Sequence, residues 1–380
     1  MKKIVKRKLK MIAKRVSVLV CVIIMLVCLP AVGFAKNNNL ELIYEKFVGV
    51  KSEYQGMIEI WNVDTFEGGL ISKTKILQQV ANKFKTENKG LYFMIRNISE
   101  SECKNLLNSG QRPDLFSASY GVAEMLKNEV FAFEKNDNIC DVFLSAGKDE
   151  SGEQKAIAWC ANTYCLMTTH SLLEKVGKDA KNGLVDIALD CGYRVNTKKG
   201  EKVVWSLEFG SGKYLMPQNA LFEYYKQGEV VLSDTVFNKL GVAQSSYSAY
   251  CNFVAGKSSV LLGTLRDVYR LKNREAQSKI DGVVIEPLTK MTDLVQFMFK
   301  VDDGNKLKQK YVDGFVEYLT GVAGQQVVCD GGLLPVLKHT QSLKIDGVMK
   351  DIPLEIIRSY EVLSVFLPKT EIEKLQQKYL

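Results

Sequence analysis

The chain has 380 residues, 46% of them hydrophobic and 25% charged, which excludes a disordered or low-complexity polymer and leaves room for two domains of roughly 100 to 200 residues each. The formal net charge is +8, yet eight positive side chains, Lys2, Lys3, Lys6, Arg7, Lys8, Lys10, Lys14 and Arg15, lie in residues 1–35, which hold no acid. The remainder is formally neutral, so a nucleic-acid partner is not expected.

The basic start, the apolar run 16–32 and the small-residue end Gly33-Phe34-Ala35 form a secretory signal with its cut after Ala35, so the mature chain begins at Lys36. The alternative is an uncleaved anchor, because residues 16–35 are long enough to span a bilayer as a helix. Neither Cys21 nor Cys28 follows the small residue of a lipobox, since Val20 and Val27 precede them. The expected location is the extracellular face of the cytoplasmic membrane, or the medium.

Residues 56–90 read as a buried strand over 57–63, a polar loop and an amphipathic helix. Ser72 is its N-cap, and Ile76, Leu77, Val80, Ala81 and Phe84 share one face. The loop brings Asp64, Phe66, Glu67 and two glycines to a strand's carboxyl end, where open α/β sheets bind ligands. The bland reading is a solvated βα turn. A strand over 91–95 follows, and Ser99 with Glu102 forms a capping box. After Pro113 a third strand ends in Ser119, Tyr120 and Gly121.

Residues 122–130 read as helix, and 155–167 as two strands with a crossover at 160–162. The pattern then predicts a helix over 171–176, a strand over 202–209, a helix over 245–255 and a strand over 258–262 with its loop at 263–267. A strand over 281–287 comes next. The last long helix, 306–320, places Leu307, Tyr311, Phe315 and Leu319 in a stripe. Residues 331–335 turn out of the helical region that follows it.

Conventional chemistry finds little support. Gly210-Ser211-Gly212-Lys213 fails the phosphate-loop pattern, because Leu207 stands where its first glycine belongs and Tyr214 follows the lysine. His170 and His339 are the only histidines and no GxSxG is present, which argues against a serine triad. The seven cysteines outside the signal are scattered in apolar surroundings and read as small buried hydrophobes; Cys160 and Cys165 are near enough in sequence to pair. No metal site and no cofactor is expected. Asp64 and Glu67 leave one enzymatic alternative, a secreted glycan-processing enzyme working through two carboxylates. Strand ends carrying Asp, Glu, Ser, Tyr, Trp and Arg suit the binding of a polyhydroxylated ligand better.

Four segments in order resemble the extracellular solute-binding proteins of ABC importers, in the sugar-binding family that includes maltose-binding protein. They are residues 57–88, the stretch Gly110-Gln111-Arg112-Pro113-Asp114-Leu115, residues 249–262 and residues 315–335. The resemblance implies a two-lobed α/β periplasmic-binding-protein fold with an interlobe hinge and cleft. One lobe would comprise 36–162 with 285–336, and the other 163–284 with 337–380. It further implies a ligand site formed by Asp64, Phe66, Glu67, Ser117, Ser119, Tyr120, Trp159, Thr264 and Arg266. The implied partners are a carbohydrate and the permease subunits in the membrane, with the chain itself a monomer and no catalysis. Leu265 stands near the position of the maltose binder's stacking tryptophan, and the missing lipobox leaves a sensor coupled to a membrane receptor as a second alternative.

Overall fold

The computed structural model describes residues 50–134, 136–176, 184, 194–197, 200–203, 205–226 and 240–377; the amino-terminal export signal expected from the sequence lies outside them. In chain order, β1 (Val50–Val63), α1 (Lys73–Glu87), β2 (Asn88–Ile98), α2 (Glu100–Asn108), β3 (Leu115–Ala118), α3 (Ala123–Leu126), α4 (Asp141–Ala146) and β4 (Ile157–Ala161) come first. They are followed by β5 (Tyr164–Thr169), α5 (His170–Val176), β6 (Arg194–Thr197), β7 (Gly200–Val203), β8 (Trp205–Gly210), α6 (Pro217–Lys226), β9 (Leu240–Ala243), α7 (Ser246–Val254), β10 (Ser258–Thr264), α8 (Leu265–Ala276) and β11 (Val283–Pro287). The chain ends through β12 (Val295–Lys300), α9 (Lys306–Thr320), α10 (Val322–Asp330) and α11 (Lys369–Gln377).

Contacts group Met1–Gln55 with Lys85–Leu91 as one unit, whose described residues are the start of β1 and the passage from α1 into β2. The other unit, Gly56–Phe84 with Tyr92–Leu380, holds everything that follows.

Two five-stranded sheets carry the architecture, ordered β2-β1-β3-β12-β4 and β11-β5-β10-β8-β9. In the first, β1 runs parallel to β3 with Ile60 opposite Leu115 and Asn62 opposite Ser117, while β12 runs antiparallel to β3 and β4. In the second, β10, β8 and β9 are parallel and β5 is antiparallel to β10 and β11. Each sheet thus has one edge at which parallel strands end together, and that edge is where ligands sit in open α/β sheets.

The chain leaves the first sheet at Ala161 and enters the second at Tyr164, then returns between Pro287 and Val295. These two links are bonded side by side. Asn162 N donates to Leu294 O at 2.7 Å, Thr292 Oγ1 to Asn162 O at 2.9 Å, and Thr163 Oγ1 to Leu288 O at 3.1 Å. Beyond Leu334, which exchanges backbone hydrogen bonds with Ala161, the chain reaches α11. That helix docks on α6 through Gln218 to Gln376 O at 2.9 Å and Asn219 to Leu375 O at 3.1 Å.

Local chemistry explains several helix starts. Ser72 Oγ accepts from Lys75 N, Ser99 Oγ from Glu102 N and Ser245 Oγ from Ser248 N, each satisfying a backbone donor that the helix start leaves unpaired. Helix α1 buries Ile76, Leu77, Val80, Ala81 and Phe84, the face expected from its spacing.

Three local expectations change. The helix expected over 122–130 is only α3, whose start carries no side-chain cap, and Glu129 beyond it is engaged by both arms of the Arg112 guanidinium. The expected stripe on α9 drifts to Val312, Phe315, Val316 and Leu319, leaving Leu307 exposed, because strict four-residue steps run ahead of a 3.6-residue turn. The loop expected at 263–267 does not exist, since β10 continues through Thr264 and α8 begins at Leu265.

Cys160 and Cys165 are both free and buried, as are Cys103, Cys140 and Cys329, while Cys251 is free and exposed. Among the described residues no helix is long and apolar enough to cross a membrane.

Candidate functional site

The loop after β1 is anchored at the seam between the two sheets by several polar and packing contacts. Asp64 accepts from Asn62 Nδ2 at 3.0 Å and pairs with Lys73 Nζ at 3.2 Å. Lys73 is fully buried at the start of α1, with Nζ 2.8 Å from Phe66 O and 3.4 Å from the centroid of the Phe66 ring. Burial pushes the lysine's pKa down against the pull of Asp64. Phe66 itself packs among Tyr164, Leu166, Leu207, Leu262, Leu288 and Leu294, so a loop that leaves the first sheet closes the core of the second.

Helix α8 grips the rest of the loop. Arg266 donates to both Gly69 O and Leu70 O at 2.8 Å. Arg270 reaches Glu67 at 2.9 Å and Asp267 at 2.8 Å. Asp267 is buried and accepts from Thr264 N at 3.2 Å. Burial raises its carboxyl to about 6, with Arg270 and the Thr264 amide pulling the other way. From the opposite side Leu70 N donates to Gly331 O at 2.8 Å.

A second polar group lies at the carboxyl ends of β1 and β3. Ser117 Oγ donates to Asn62 Oδ1 at 2.8 Å and accepts from Trp159 Nε1 at 3.2 Å and Gln296 Nε2 at 3.1 Å, all four residues being buried. Ser119 Oγ donates to Val295 O at 2.6 Å.

Tyr120 belongs to a third group. Its hydroxyl donates to Leu363 O at 2.7 Å, and its ring lies with Tyr214, Met216, Met291 and Ile372. Tyr214 has a positive φ of 64°, rare for a residue with a side chain, and its hydroxyl donates to Glu100 Oε1 at 2.8 Å. Burial and then the Glu100 bond raise its phenol to about 12. Lys213 pairs with the same carboxylate.

Of the nine residues expected from the sequence, Glu67, Thr264 and Arg266 therefore gather at α8, while Asp64 and Phe66 gather around Lys73 at the start of α1. Ser117 and Trp159 meet in the Asn62 and Gln296 network, while Ser119 and Tyr120 point to other partners. Sequence reasoning missed Lys73, Arg270, Asn62, Gln296, Glu100 and Tyr214. Of these, Asn62 and Arg270 had a readable signal, a polar side chain inside an apolar strand and a basic one an acid's i+3 step along a helix.

No protein-family model matches the chain, and no curated protein does. Among solved structures, the GacH receptor of Streptomyces glaucescens, known unliganded and with acarbose, aligns with a TM-score of 0.63 at 13% identity, over 86% of this chain and 92% of that one. The ABC substrate-binding protein Lmo0181 of Listeria monocytogenes, solved with cycloalternan, aligns with a TM-score of 0.58 at 12% identity, over 86% and 95%. Iron-bound HitA from Pseudomonas aeruginosa aligns with a TM-score of 0.55 at 13% identity, over 85% and 99%.

Two mixed sheets joined by adjacent crossings, with their strand ends facing one seam, define the two-lobed α/β class of periplasmic-binding proteins. Within that class the chain has the fold of the solute-binding proteins of ABC importers, on the pattern of maltose-binding protein. Since the fold is also that of an iron binder, it does not by itself choose the ligand.

Proposed function

We propose that the protein is an extracytoplasmic solute-binding protein that captures a sugar or oligosaccharide between its lobes and delivers it to a membrane permease, acting as a monomer and performing no chemistry. The observation that supports this reading is the pairing of polar groups across the seam. Glu67 with Arg270, Arg266 with two loop carbonyls, and Glu100 with Tyr214 each join strand ends of one sheet to those of the other. Groups of this kind can exchange a protein partner for a hydroxyl-bearing ligand when the lobes part and close again. Carboxylates accept from hydroxyls, guanidinium groups donate in a fixed fork, and aromatic rings cover C–H faces.

We assign the ligand site, as the resemblance in sequence implies, to Asp64, Phe66, Glu67, Ser117, Ser119, Tyr120, Trp159, Thr264 and Arg266. Asp64 and Glu67 both act as acceptors to cationic side chains, an arrangement that suits positioned hydrogen-bond acceptors rather than a proton donor and its base.

A thermal-shift panel of mono- and oligosaccharides tests the reading, because a ligand at 100 times its dissociation constant adds about 2.7 kcal/mol of stability. A raised melting temperature with a sugar is the expected result. A shift with an amino acid, a polyamine or a metal ion and none with any sugar would overturn the carbohydrate assignment.

A further inference from the structure

A cavity lies outside the seam, with a volume of about 570 Å³ and walls formed by Cys140, Asp141, Val142, Lys338, His339, Gln341 and Arg358. That volume falls within the range of small-molecule sites. Its frame is fixed by backbone pairing of two segments, Cys140 N to Val336 O at 2.9 Å and Lys338 N to Asn138 O at 2.9 Å. Arg358 is tethered by a single NH2 contact to Lys338 O at 2.5 Å, which leaves most of its five donors open. The Cys140 thiol, 4% exposed, forms part of the wall and donates to Leu337 O. Burial pushes that thiol up, Arg358 pulls it back, and Asp141 and Lys338 act on it in opposite directions.

The charges are unequal. Lys338, Arg358 and the imidazole of His339 face one carboxylate, Asp141, which pairs with Lys338 at 2.8 Å. The Asp141 side chain is 82% exposed, and solvent screening leaves so open a pair little energetic weight. An incoming oxyanion can displace it at little loss. Neutral donors in the wall, such as the Gln341 amide, add directional hydrogen bonds without adding charge.

We propose that this cavity binds a small molecule through an oxyanion, a carboxylate or a phosphate group, held by Arg358 and Lys338 with His339 beside it. The site is independent of the seam and of whatever ligand the seam takes.

His339 supplies the readout, because His170 is the chain's only other histidine and a His170→Gln variant assigns the signal. The imidazole C–H resonances of the full-length mature protein are followed while inorganic phosphate, or separately citrate, is added at constant ionic strength. The expected result is a saturable shift of the His339 signal with one or both anions. The two arms separate phosphate from carboxylate recognition.

Arg358→Gln should weaken binding about tenfold or more, because it removes a charge-assisted fork. Asp141→Asn should tighten it severalfold by freeing Lys338, a gain that misfolding cannot imitate. A His339 shift that never saturates, that sodium chloride reproduces, or that both variants leave unchanged overturns the proposal.

Discussion

Gly69 shows how closely single atoms fix the seam. A Cβ there would lie 2.0 Å from Gly332 O, and Gly332 in turn has a φ of +79° with Tyr269 against it. Gly69→Ala should therefore destabilise by about 1 to 3 kcal/mol through overpacking, read as a lower midpoint in urea. A midpoint equal to wild type would show that the loop after β1 has room to move.

Asp293 poses the opposite problem, a fully buried carboxyl that accepts from Met216 N at 2.9 Å. Burial raises it to about 6, against about 3.9 in an unfolded chain. Between those values the unfolded state loses its proton first, so the native state binds more protons and wild-type stability falls as pH rises. The advantage of Asp293→Asn over wild type should accordingly be small at pH 4 and grow to about 3 kcal/mol by pH 7. Parallel stability curves for the two proteins between pH 4 and 7 would refute this.

At the scale of elements, two side chains of α8 hold one part of the loop after β1, beside the anchors that Lys73 and the Gly331 carbonyl supply. Removing both, in Arg266→Ala with Arg270→Ala, deletes the donors to Gly69 O, Leu70 O and Glu67 and leaves the backbone of α8 unchanged. Amide exchange at Leu70, whose N–H is bonded to Gly331 O, should then accelerate while exchange in β10 stays as it was. Equal protection at Leu70 in both proteins would mean that Lys73, the Gly331 carbonyl and the packing of Phe66 suffice to secure the loop.

This element also marks how far the sequence could be read. Strand, loop and helix in 57–87 were visible because periodicity and capping are local, and so was the approach of Asp64, Phe66 and Glu67 to a strand end. Their partners were not visible. Glu67 and Arg270 are 203 residues apart, and Tyr214 is 114 from Glu100, separations that carry no pattern in one sequence. Nothing in the sequence singles out Lys73, and only the fold shows that Phe66 and Asp64 pack against it. The assumed loop at 263–267 failed for a related reason. Gly263 suggested a turn, whereas the glycine is needed because a Cβ there would come within 2.6 Å of Asp267 Oδ2.

For the whole molecule, the crossings at 162–163 and 288–294 are the only described links in which the main chain passes directly from a strand of one sheet to a strand of the other, and they lie side by side. Adjacent links let two rigid bodies rotate with little change elsewhere, the geometry of a hinge. On the proposed function, the contacts across the seam would form the closing side of a two-state balance, in which a smaller fraction of closed protein lowers a ligand's apparent affinity. The Arg266→Ala, Arg270→Ala protein should thus open further without ligand, giving a larger radius of gyration in X-ray scattering. Its apparent affinity for whichever sugar stabilises the wild type should fall about tenfold for each 1.4 kcal/mol taken from the closed state. A larger radius with unchanged affinity would place the ligand away from the seam, and an unchanged radius would show that these arginines do not govern closure.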